Sequence, residues 1–173
     1  MKHEQNKGIQ NKVLRFLTGD FMGNGCPAHP AFVHLPIVLI PLAAGLKAGA
    51  ALGVLPSAPG SWPWSAAHFV SLLALLSLIP TALTGAAEYI RLPKGDPRLT
   101  RKVQLHSGLN TVVALITLYL YVKCTTRANH IPTQGEVILG LFSVGILLVS
   151  GHVGGELVFE HGVGVKRQGK SRK

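Results

Sequence analysis

The stretch Gly151-His152-Val153-Gly154-Gly155-Glu156-Leu157-Val158-Phe159-Glu160-His161-Gly162 closes an apolar run that begins near residue 135. The run is long enough to cross a bilayer as a helix. Two histidines, two carboxylates and four glycines therefore stand where a membrane helix reaches the lipid surface. Ionisable groups inside a bilayer are costly and face a bundle interior, a cavity or a cofactor. The reading of this helix as a membrane span decides the fold, and the rest of the sequence agrees with it.

Three further apolar runs precede it, at about 30–55, 65–92 and 103–122. Pro36, Pro41 and Pro80 fall inside them, which a membrane helix tolerates. Lys47 is expected to snorkel toward the far interface of its span, and Trp62 and Trp64 to sit in the interfacial belt. With 173 residues, 47% hydrophobic and 14% charged, the chain carries too few charges to coat a soluble globule. The fold class expected is all-α: an integral membrane four-helix bundle, up-down-up-down, with short connections. A basic amino-terminal arm (1–28) with a short amphipathic segment precedes the four-span domain (29–165), and a basic, disordered tail (166–173) follows it.

Orientation follows from where the charge lies. Of seventeen lysines and arginines, fourteen fall in the arm, the 91–102 loop and the tail. The positive-inside rule places that side, with both termini, in the cytoplasm or the mitochondrial matrix. The formal net charge of +10 is thus read as a topology signal and a contact to anionic lipid, not as nucleic-acid binding. Cys26 and Cys124 fall on opposite membrane faces, so no disulfide framework is expected.

The same side receives one end of every span. Those ends carry His34, Glu88, His106 with Asn110, and His152 with Glu156, while His29 and His161 fall just outside. Spacing of i, i+4 stacks Asn110 over His106 and Glu156 over His152. Gly151 and Gly155 form a small-xxx-small pair suited to close helix packing. His68 and His130, at the opposite side, read as structural.

Convergence of four helix ends allows three chemistries. Bis-imidazole ligation of haem b needs histidines on opposed helices. His34 and His106 occupy diagonal spans, His152 is an alternative ligand, and Arg91, Arg98, Arg101 or Lys102 could meet the propionates. Non-haem iron or zinc could use the same histidines with Glu88 and Glu156. Or the cluster is a polar network that only locks the bundle, as in an accessory or assembly subunit of a larger membrane complex, or that binds a lipid headgroup or quinone. A hydrolase is the weakest reading, since no Gly-x-Ser-x-Gly nucleophile motif is present.

The run His29-Pro30-Ala31-Phe32-Val33-His34-Leu35-Pro36 resembles the opening signature of a family of small four-helix membrane proteins, domain of unknown function 2231. His106-x-x-x-Asn110 and the stretch from Gly154 to Val165 are similar to its later signatures. The resemblance covers about 28–165. It implies the four-helix architecture and the candidate residues, and relatives joined to Rieske-type domains imply electron transfer with a respiratory or other redox partner. Two cysteines on opposite faces cannot themselves supply a Rieske centre.

Overall fold

A computed structural model of the chain describes residues 28–92 and 95–163, without the side chain of Arg91. The amino-terminal arm up to residue 27, the tail from 164 and Cys26 lie outside the described residues. Among those described, four helices are long and apolar enough to span a membrane: α1 (His29–Ala51), α2 (Trp62–Arg91), α3 (Pro97–Thr125) and α4 (Gln134–Phe159). A single 3-10 turn at Ala128–His130 joins α3 to α4.

Each boundary has a local cause. Pro30, Pro63 and Pro97 sit in first turns, where a missing N–H costs nothing. α1 stops at Ala51, short of the expected 55. The chain turns at Gly53 (φ +73°), and Leu55 folds back against Gly49. α3 starts early, at Pro97, because the Asp96 carboxylate accepts from the Arg98 and Leu99 amides. Much of the basic 91–102 segment is therefore the first turn of a helix and not loop. α4 opens with a capping box in which Thr133 and Glu136 satisfy each other's backbone amides. Both Glu136 oxygens also meet the Arg127 guanidinium, one of them at 2.9 Å.

The helices run up-down-up-down, as expected. α1 packs on α2 and α4, and α3 packs on α4 and α2, so α1 and α3 stand on one diagonal. The middle of the bundle holds one apolar residue from each helix: Ile40, Ala74, Val113 and Leu147. Around that layer several of the buried residues are small and hydroxylic. Ser71, Ser77, Thr84, Thr117, Ser143 and Ser150 are all buried. Five of these hydroxyls donate to a carbonyl of their own helix. A hydroxyl satisfied this way lets backbones approach closely without an orphan polar group in lipid.

Two sequence expectations change. Lys47 does not snorkel: it is 6% exposed and its ammonium points into the bundle, 3.4 Å from Ser71 Oγ. Of the two tryptophans only Trp62 is exposed, while Trp64 is buried and donates from Nε1 to the Ser57 carbonyl. Replacing Glu136 with Ala removes half of the capping box and strands Arg127. Charge-assisted bonds of this kind are worth about 1.5–3 kcal/mol, so the variant should lose about that much in a reversible unfolding titration in mixed micelles.

Candidate functional site: paired histidine clasps

At the end of the bundle that begins α1, two imidazoles turn inward. His29 opens α1 and lies across α2. Its Nδ1 is 3.0 Å from the Thr81 carbonyl and 3.2 Å from Thr84 Oγ1. His106, in α3, lies across α4, with Nδ1 2.9 Å from the Ser150 carbonyl and 3.2 Å from Ser150 Oγ. A carbonyl can only accept, so Nδ1 carries the proton in both rings and Nε2 is left as a lone pair.

Each ring rests on a glycine. A Cβ at Gly85 would stand 2.9 Å from His29 Cε1 and 3.2 Å from its Nδ1. At Gly154 the corresponding distances to His106 are 2.9 and 3.2 Å. In both helices the accepting carbonyl lies four residues before the glycine. The two hairpins thus repeat one device, in which a histidine on the first helix is seated over a glycine of the second. Hydroxyls brace both copies. Ser150, fully buried, donates Oγ to the His106 carbonyl, and Thr84 donates to that of Pro80.

Asn110 stacks on His106 as its i, i+4 spacing anticipates. Its Nδ2 donates to the His106 carbonyl (3.0 Å) and to Nε2 (3.1 Å). One turn before His106, Lys102 ties α3 to α4 through Glu156 (3.0 Å) and Glu160 (2.7 Å). His152 Nε2 lies 3.4 Å from the Glu156 carboxylate, the i, i+4 neighbour on its own helix. Lys102 holds the Glu160 carboxyl below its ordinary range.

The structure separates the sequence candidates into two groups. His106, Asn110 and Glu156 belong to the clasp end, and Glu88 lies half-buried one turn past Gly85. His34 does not join them. It is exposed, on the bundle's outer surface, with Nδ1 bonded to the Pro30 carbonyl of its own helix. Five residues turn a helix by about 140°, so His29 and His34 cannot both face inward. His152 has a side chain 79% exposed and points away from the clasp. Arg101 is exposed in a shallow groove with Asp96, Thr100 and Gln104. Arg91's side chain is outside the described residues. Among the described residues no three His, Cys, Asp or Glu side chains are placed to share a metal ion. The close approach on α4 is at Gly154, while nothing packs within 4 Å of a Cβ at Gly151 or Gly155.

His29 is the residue that sequence reasoning left out. The apolar run places it just outside the first span, whereas α1 begins on it. A usable signal was present: a helical glycine with hydroxyl neighbours, at 85 and again at 154, opposite a histidine.

Four apolar helices with a polar clasp at one end define an integral membrane protein of the four-helix class. The family model described as predicted membrane protein (DUF2231) matches residues 25–167, and the chain belongs to that family. No curated protein and no solved structure matches the chain.

Gly85→Ala and Gly154→Ala should each cost about 1–3 kcal/mol through overpacking, and Gly151→Ala should be neutral, as read by thermal unfolding in detergent. A second expectation concerns pH. Because Glu160 titrates below its unfolded value, the Lys102 bond supports the fold above the ordinary carboxylate range and is lost as pH falls through the depressed value. Lys102→Met should raise the Glu160 midpoint, read by carbon-13 NMR of the carboxyl.

Proposed function

We propose that this protein is a membrane electron carrier that holds haem b through His29 and His106. The observation that supports it is the repeated Nδ1–H to carbonyl bond on diagonal helices. Each bond fixes the tautomer that leaves Nε2 for a metal, and second-shell bonds of this kind orient ligating histidines and raise their basicity. The donor chemistry of the two imidazoles would suit haem ligation, with His29 taking the place expected for His34. Bound there, haem supplies one-electron chemistry. The chain's own part is to hold both rings by Thr81, Thr84 and Ser150, and to keep a cation at the headgroup side. Lys102, one turn before His106 on the same helix face, is better placed than Arg101 to meet a carboxylate. Ligation by His106 requires Asn110 Nδ2 to release Nε2 and keep only its bond to the His106 carbonyl.

The positive-inside rule supports placing this end in the cytoplasm or matrix, in a bacterial or mitochondrial inner membrane, where a redox complex is the partner class. The competing reading, an accessory subunit without a cofactor, has one observation behind it. His106 already has both ring nitrogens engaged, so the clasp is complete as a helix fastener.

Absorption spectra of the detergent-purified chain, supplied with haem and reduced by dithionite, decide between them. The redox reading expects a Soret band with resolved α and β bands. His29→Ala and His106→Ala should each lose it, whereas His34→Ala and His152→Ala should keep it. A folded, haem-supplied protein without the band favours the accessory subunit.

A further inference from the structure

The other end of the bundle carries a second polar cluster that the proposed function does not use. Lys47 is buried, yet among the described residues its ammonium has one hydrogen bond, the 3.4 Å contact to Ser71 Oγ. An ammonium has three protons to place, and a buried cation with one long bond is far from satisfied. Its electrostatic neighbours are Glu136 and Cys124. Glu136 already accepts from Arg127 at both carboxylate oxygens and from the Thr133 amide, and no hydrogen bond joins it to Lys47 among the described residues. Cys124 is fully buried, and the carbonyl of Cys124 accepts from His130 Nδ1.

One turn from Ser71 on the same face of α2 stands His68. Its ring is fixed between two others, stacked at 4.1 Å on His130 and 4.5 Å on Tyr121. The hydroxyl of Thr125 donates to the Tyr121 carbonyl, so at 3.5 Å from His68 Nε2 its oxygen is the acceptor. Nε2 therefore carries the proton and Nδ1 is the lone pair. That Nδ1 is buried and has no hydrogen-bond partner among the described residues. A donor short of acceptors and an acceptor without a donor thus sit one helical turn apart. Lys47 and His68 are electrostatic neighbours, and the lysine carries its ammonium on a flexible four-carbon stem.

We propose that Lys47 and His68 form a proton-exchange site, in which the Lys47 ammonium docks on His68 Nδ1 and His68 connects it to the membrane surface at this end. The step balances within the pair and bulk water. One Nζ–H bond breaks as Nδ1–H forms, leaving a neutral amine and an imidazolium. The Nε2 proton then passes by way of the exposed Thr125 hydroxyl to water or a buffer base. Protonation of Nε2 from outside runs the same steps backward and recharges Lys47. The groups facing the pair are His130 on the 3-10 turn, Tyr121 and Cys124 on α3, Arg127 just before the 3-10 turn, and Glu136 in the first turn of α4. None of them offers Lys47 a second described route out. Lys47 lies eighteen residues along α1 from His29, about 27 Å away. The site is therefore independent of any cofactor at the clasp end.

The test is nitrogen-15 NMR of the full chain in lipid nanodiscs, labelled at lysine and histidine. The proposal expects a through-space contact between the Lys47 Nζ protons and the His68 ring in the wild type. It also expects solvent exchange of those protons to slow at least tenfold in His68→Phe, which keeps the ring stack but has no nitrogen. His130→Phe should leave the rate within twofold. If His68→Phe does not fold, His68→Gln takes its place. Absence of the wild-type contact, or an unchanged exchange rate in the His68 variant, overturns the proposal.

Discussion

Inside a bilayer an imidazole must place its N–H on the protein, because no water is there to take it. In this bundle the acceptor is a helix carbonyl already used by its own helix, reached because a glycine four residues further on removes the Cβ in the way. That constraint explains why the two close approaches fall within hairpins, between α1 and α2 and between α3 and α4. It explains why Thr84 and Ser150, small and hydroxylic, are buried beside them. It also selects the Nδ1-protonated tautomer of both rings when they are neutral.

The bundle is organised as two polar ends around an apolar waist. At the waist each helix contributes one side chain, Ile40, Ala74, Val113 and Leu147. At one end stand the clasps and the Lys102–Glu156–Glu160 ties, and at the other the Arg127–Glu136 pair, the His68 stack and Lys47. The repeated clasp makes the two hairpins equivalent halves. This equivalence is visible in matched glycine distances although the flanking sequences differ.

Much of this was legible in the sequence. Four spans, their alternation and their diagonal arrangement follow from apolar run lengths and short connections. So do the Asn110–His106 and Glu156–His152 pairs, which need only helical spacing. The identity of the inward histidine of α1 was not legible, because it depends on where the helix starts. His29 and His34 lie about 140° apart on the helix, and hydropathy alone does not say which faces the bundle. Lys47 was misjudged for a related reason. Snorkelling needs a stem aimed at the interface, and packing of α1 on α2 aims this one at Ser71. The small-xxx-small rule pointed to Gly151 and Gly155, whereas the helix phase puts Gly154 against the ring.

Both clasps depend on a proton at Nδ1 of His29 and of His106. Nitrogen-15 spectra of histidine-labelled protein in lipid at neutral pH report the tautomer of each ring. His29 and His106 should both be protonated at Nδ1, with Nε2 bare or acting as an acceptor. An Nε2-protonated tautomer at either residue would contradict the clasp and remove the support for a ligand pair built on it.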